Sequence, residues 1–489
     1  MVWPPGACAK LPQSVTGLPR EAPLDPDELC LLPISETSRL IRSGELSSTR
    51  LTEAVLARTD ALKPFAVAYI RVMRDEALAA AATADQEIAT GNYRGPLHGI
   101  PIALKDLCDV KGVPTTAGSL IMGAKPAEED SEVARRLRGA GAVLIGKTNL
   151  HEFAYGGTSV NPHYGTPPNP WDRTRIPGGS SGGSAVAVAV GTASAALGSD
   201  TGGSIRLPAA HCGITGLKPT FGRVSRRGVV PLSMTLDHVG PMARSAQDCA
   251  IVLNAIAGHD PKDPYSAEVP AQDFTAGIEI GLSGRRIGVP RAFFFEGLDP
   301  EVEELVGEAL DVLERLGAEL VDLRMDWAEE AFENNIRVLR PESFWVHRDR
   351  LGDPEQAAKF GEDTRSRLLQ GQDIAAHEYH GALVRRAQIA ALAGELMSTV
   401  DLLATPTTPV TAAPIEGVDT IKYRQALRFT AVFDHTWQPS LSVPCGFTTE
   451  GLPAGLMLTA APWQEALLLR AGYAYQRATD WHLRRPNVA

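Results

Sequence analysis

"IPGGSSGGSAVAVAVGTASAALGSDTGGSIRLPA" occupies residues 176–209. Two Gly/Ser clusters flank an Ala/Val-rich element, and each cluster sets a serine among glycines. Glycine loses more backbone freedom on folding than any other residue. Clusters of it inside an ordered domain therefore need a geometric reason: a positive φ, a tight turn, or a ligand close to the backbone. "SGGSAVAVAV" reads as the start of a helix whose small residues permit close packing. "SAALGSD" reads as a strand over 194–199. The loop "SDTGGSIR" (199–206) then lies beyond a strand C-terminus, where α/β sheets carry their active-site loops.

The same alternation extends outward. "TRLTEAVLARTDAL", opened by Ser48, is an amphipathic helix with Leu51, Val55 and Leu56 on one stripe. "GIPIALKD" (99–106) is a buried strand ending in charge. "EVARRLRGAGAVLIGKT" is a helix, a glycine turn and a strand at Val143–Ile145. "RRIGVP", "PEVEELVGEALDVLERLG" and "AELVDL" repeat strand, helix, strand. "DLLATPTTP" and "SLSVPCGF…GLMLTA" supply late strands, and "QEALLLRAGYAYQRAT" a closing helix. The prediction is an α/β fold: a single large domain over 31–489, with a mixed, mostly parallel central sheet covered by helices. The Pro/Gly-rich stretch 258–285 reads as loop, and the Pro-rich residues 1–30 as a tail or strap.

Of 489 residues, 44% are hydrophobic, enough for a large core, and the net charge of −11 argues against nucleic-acid or anionic-membrane partners. Six cysteines without a C-x-x-C pair fit reduced thiols in a cytoplasmic protein. No run approaches the ~20 apolar residues of a membrane span. The N-terminus lacks the basic-then-apolar order of a signal peptide.

"GAVLIGKT" (141–148) matches the phosphate-loop pattern, but the predicted strand fills its middle, so no cradle forms and Lys147 reads as structural. "GGSSG" (178–182) fits a nucleophile elbow at Ser180, yet polar, Pro-punctuated "NPWDRTRIP" precedes it where that elbow needs a strand. "HEFAY" (151–155) and "HEYH" (377–380) lack the paired histidines of a metalloprotease, and neither metal nor cofactor is expected. In "SDTGGSIR" the N–H groups of Thr201, Gly202, Gly203 and Ser204 can converge on one oxygen, an oxyanion hole ending in a nucleophilic hydroxyl. The plainer reading is a Gly-rich turn whose serine caps a helix.

Taken together, "GIPIALKD", "GAVLIGKTNLHEFAYG", "RIPGGSSGGSAVAVAVG", "LGSDTGGSIRLPAAHCGITGLKPTFGRVS" and the weaker "SLSVPCGF" resemble the amidase signature family of serine hydrolases, in that family's order. The resemblance implies a Ser–Ser–Lys arrangement: Ser204 as nucleophile, Ser180 as relay after a cis Gly179–Ser180 peptide, and Lys105 as the base, neutralised by burial. The 24-residue separation of the two serines selects Ser180 over Ser181. Ser181, Asp200 and Arg206 are expected as supports around the triad, and His151, His163, His211 and His238 as packing or surface residues.

The implied activity is hydrolysis of linear C–N acyl bonds in a small-molecule substrate (amide, anilide, ester or carbamate) by a monomer or homodimer. The alternative is the glutamine-hydrolysing component of a tRNA-dependent amidotransferase, its A subunit. Against that, this chain reads "HEFAYG" (151–156) where those proteins usually read "DEFAMG". The C-terminal half is expected to line the substrate pocket. Trp437 in "FDHTWQPS" (433–440) stands either in that pocket or in the core.

Overall fold

Eleven strands are present in the computed structural model, which describes residues 25–488. They are β1 (Tyr69–Val72), β2 (Pro101–Lys105), β3 (Val143–Thr148), β4 (Ala195–Asp200), β5 (Thr215–Lys218), β6 (His238–Ala243), β7 (Arg286–Pro290), β8 (Glu319–Leu323), β9 (Leu402–Pro406), β10 (Ser440–Phe447) and β11 (Pro453–Ala460). They form one mixed sheet in the order β1-β3-β2-β4-β6-β5-β10-β11-β9-β7-β8. The domain is a single large α/β unit. The expected balance of directions needs correction, because six of the ten neighbouring pairs are antiparallel. Parallel pairing is confined to β3-β2-β4 and β9-β7-β8, where helices make the crossovers. In the antiparallel middle, β5 runs into β6 and β10 into β11 with no helix between them.

Burial explains why the strand sequences look as they do. β2, β3, β4, β6, β9 and β11 are buried at every position, and covered faces on both sides favour continuous apolar runs over alternation. The helix Gly182–Ala189 is buried at every residue, and its Gly, Ala, Ser and Val side chains let it lie against β4 and β2. The helix Ser48–Ala61 buries Leu51, Val55 and Leu56 as expected. Its cap is Ser47, which accepts the Arg50 N–H, one residue earlier than read from the sequence.

Of the expected N-terminal tail, residues 1–24 lie outside the described residues. Pro26–Leu31 is helical, buries Leu29 and Cys30, and pairs Asp27 with Arg58 at 2.6 Å. Residues 258–285 contain neither helix nor strand. No helix among the described residues is long and apolar enough to cross a membrane.

Candidate active site

β2 and β4 are parallel neighbours, with Leu104 opposite Leu197. Their C-terminal ends therefore bring Lys105 beside Ser199 and Asp200. The Gly-rich turn before the helix Gly182–Ala189 crosses the same end. Lys105 Nζ lies 2.7 Å from Ser180 Oγ, 2.8 Å from Ser181 Oγ and 2.8 Å from Ser199 Oγ. The lysine is 1% exposed, and burial lowers its pKa to about 7 against weaker opposing pulls from Asp200, Cys108 and Asp237. Ser199 was not singled out in the sequence. Its place at a strand end, one residue before Asp200, was the available signal.

Ser181 Oγ donates to the Ser199 carbonyl at 3.1 Å. Its hydrogen is thus committed, and toward Lys105 it can only accept. The Gly179–Ser180 peptide is cis. The Ser181 N–H donates to the Ser204 carbonyl at 3.2 Å, which ties the two Gly/Ser clusters together. Ser204 Oγ makes no hydrogen bond among the described residues, and Ser204 lines a pocket of about 60 Å³.

The loop after β4 differs from expectation at one residue. The Gly203 N–H is turned back to Asp200 Oδ1, so it does not face the pocket. Asp200 also accepts the Ile205 N–H at 3.0 Å. The N–H groups of Thr201, Gly202 and Ser204 have no acceptor among the described residues, and those three residues line the pocket. Gly203 itself has φ +136°, and an added β-carbon would strike Thr430 Oγ1. Glycine is required there by shape, whereas at Gly202 the nearest atoms stand at 3.8 Å.

Beneath the loop, Arg206 is fully buried. Its Nη2 is 3.0 Å from Asp200 Oδ1 and 2.5 Å from Asp434 Oδ2, and Nη1 donates to the Thr430 carbonyl at 2.9 Å. Burial works to raise the Asp200 carboxyl, but the charge and hydrogen bonds of Arg206 hold it well below the usual range. Asp434 goes the other way, raised by burial and by the charge of Asp200. One arginine thus bridges two buried carboxyl groups whose pKa values are pushed in opposite directions. Asp434, Lys218 and Thr430 belong to this support and were not read from the sequence as such.

The four histidines are buried or nearly so, and among the described residues no imidazole bonds to Lys105, Ser180 or Ser204; only the His151 backbone N–H reaches the Ser180 carbonyl, at 3.1 Å. His151 Nε2 meets Asp363 at 3.0 Å and His163 Nε2 meets Glu152 at 3.1 Å. His211 packs against Tyr423. His238 sits 3.3 Å from Lys218 Nζ. Burial lowers the His211 pKa to about 4 and that of His238 well below the ordinary imidazole value. Lys147, in the phosphate-loop match, lies inside β3 and pairs with Asp106 at 2.6 Å with both side chains buried.

The C-terminal half does line the Ser204 pocket, through Phe332, Asn335, Ile336, Leu339, Leu427 and Ala431. Tyr155, Arg367 and Arg424 add polar groups, and no lining residue is acidic. Trp437 is not on that lining. Its ring stacks on Phe221 at 5.5 Å under the Arg386 guanidinium, and Nε1 donates to the Thr235 carbonyl at 3.0 Å.

The fold that carries these side chains is shared with known proteins. A family model described as Amidase matches residues 50–469, and the chain belongs to this family of amidase signature enzymes. The chain is 42% identical over 485 residues to the A subunit of the glutamyl-tRNA(Gln) amidotransferase from Chloroflexus aggregans, covering 94% of this chain and 99% of that one. Among solved structures, it resembles a chain of a vestigial protein complex that reveals the origins of an s-triazine catabolic enzyme. The TM-score is 0.87 at 35% identity, over 93% of this chain and 100% of the other. The native peptide amidase of Stenotrophomonas maltophilia gives 0.81 at 35% identity, over 93% and 98%.

Proposed function

We propose that the chain hydrolyses carboxamides through an acyl-enzyme on Ser204, with Ser180 relaying the proton to Lys105. The observation that carries this reading is a buried amine, shifted to about 7, held 2.7 Å from Ser180 Oγ. A neutral amine has one lone pair. Ser181 can only accept from it, which leaves the lone pair for another hydroxyl, and Ser180 supplies that hydroxyl. Ser204 Oγ attacks the carbonyl carbon, its proton passes through Ser180 and Lys105 to the leaving nitrogen, and the C–N bond breaks. Water then hydrolyses the ester by the same relay. The Thr201, Gly202 and Ser204 N–H groups supply the oxyanion hole, with Gly203 set to hold the loop through Asp200.

The curated relatives favour glutamine as the amide and the glutaminase component of an amidotransferase as the role, with that enzyme's other chains as partners instead of a monomer or homodimer. A second reading, a stand-alone amidase, is favoured by the Ser204 pocket, whose lining offers the ammonium of a free amino acid no carboxylate. A fluorophosphonate probe tests the shared chemistry: it attaches at Ser204, and the Ser204→Ala protein neither labels nor turns over substrate. A label mapped elsewhere removes the assignment. Assaying the purified chain with glutamine and with simple amides separates the two roles. Activity confined to glutamine and to a co-purified complex selects the amidotransferase.

A further inference from the structure

A second cavity, of about 200 Å³, adjoins the Ser204 pocket, and Ala154 and Leu232 line both. Ser199, whose hydroxyl is 2.8 Å from Lys105 Nζ, opens onto it. So does Asp237, which accepts the Thr201 hydroxyl at 2.7 Å. The cavity therefore borders both the base and the loop that carries the nucleophile. Much of its wall is aliphatic: Leu107, Val229, Val230, Met234 and Val239. At its edge Arg226 is fixed between the rings of Phe221 and Tyr265, each 4.9 Å away, and donates to the Met234 carbonyl at 2.9 Å. The wall is built before any ligand arrives.

The proton taken from Ser204 must end on the leaving nitrogen, so that nitrogen faces Lys105 while the acyl carbon chain faces away from it. Space on the lysine side is space for the amine. Ammonia is about the size of water, which occupies about 30 Å³, and it leaves most of this cavity empty. We propose that the cavity receives the nitrogen substituent of a secondary amide, an apolar alkyl or arylalkyl group, which is released as the free amine. The proposal rests on the Ser204 acyl-enzyme reading. The bonds balance as in that reading: the Ser204 ester forms, C–N breaks, the nitrogen gains the serine proton, and water completes the acid.

The test is kcat/KM for propionamide, N-butylpropionamide and N-benzylpropionamide, with a small acyl group to suit the smaller pocket. The expected result is a rise of about tenfold or more from the primary amide to the N-benzyl amide. Val230→Trp, which fills the cavity, is expected to pull that ratio back toward one. A primary amide cleaved as well as the N-benzyl amide, or a ratio unmoved in Val230→Trp, overturns the proposal. If Val230→Trp does not fold, the acyl-enzyme is offered butylamine and methylamine. Capture at lower concentration by butylamine supports the cavity, and equal capture overturns it. Turnover of propionamide alone, with Ser204 labelled, removes this proposal and leaves the acyl-enzyme standing. Failure to label Ser204 removes both.

Discussion

Lys105 carries a charge state that experiment reads directly. With its pKa lowered to about 7 by burial, the amine is protonated below that pH and free to act as a base above it. Catalytic rate is expected to rise with pH through about 7 and then level off. A His211 or His238 base would place the limb lower, since burial holds His211 at about 4 and His238 well below the ordinary imidazole value. Lys218, also lowered to about 7 by burial, reaches the Pro219 carbonyl and His238 and not the serines. Lys105→Ala should remove nearly all turnover in a protein whose circular dichroism is unchanged. Lys105→Arg should not restore it, because guanidinium keeps its proton. Ser180→Ala should cost less than Ser204→Ala, because water can stand in for a relay but not for a nucleophile. These three residues were singled out through the family resemblance, which short, glycine-marked or strand-ending motifs carry; of the three, the local wording pointed by itself only to Ser204 as a nucleophile. Ser199 was not singled out, because its role appears only when β4 is laid beside β2.

At the level of the loop and its supporting helix, what matters is how distant segments close on one another. Gly203→Ala places a β-carbon against Thr430 at a φ of +136°. It should lower stability by more than about 1 kcal/mol in denaturant titration and reduce kcat by displacing the oxyanion-hole N–H groups. Arg206→Met leaves Asp200 and Asp434 facing each other in a dry interior, and breaking a buried pair of this kind typically costs about 3–5 kcal/mol. A loss under about 1 kcal/mol would show that the pair is not holding the loop. The partner carboxyl Asp434 is 228 residues away from Arg206. No periodicity or spacing rule spans that interval, so the support was legible on one side only. The glycine expectation failed for a definable reason. Sequence marks four candidate N–H donors alike, whereas the capture of one by Asp200 depends on how the chain turns after β4.

Across the molecule, strands and helices were legible because apolar runs, caps and glycine turns are local. The direction of each strand is set by connections, so a sheet expected to be mostly parallel is antiparallel through its centre. The cysteines give a prediction at this scale. Cys30, Cys108, Cys212, Cys249 and Cys445 are free and buried, and burial raises their pKa values, to about 11 for Cys30 and about 12 for Cys108. In native protein a thiol reagent at neutral pH should leave all five unmodified, and under denaturant it should reach them. Fast modification of any of the five in the native state would contradict the packing.

The pair between Lys147 and Asp106 bears on the neighbouring residue of β2. Asp106 follows Lys105 directly, and an uncompensated carboxylate so near would favour the protonated amine. If Lys105 is the base, Lys147, paired with that carboxylate from the adjacent strand, would act as a tuning counter-ion for an amine to which it makes no hydrogen bond. In Lys147→Met the acid limb of the rate profile should therefore move above about 7, while a limb that stays in place would assign Lys147 to packing alone. On the proposed mechanism, the lysine of a phosphate-loop look-alike would then help to set the pH at which the enzyme works.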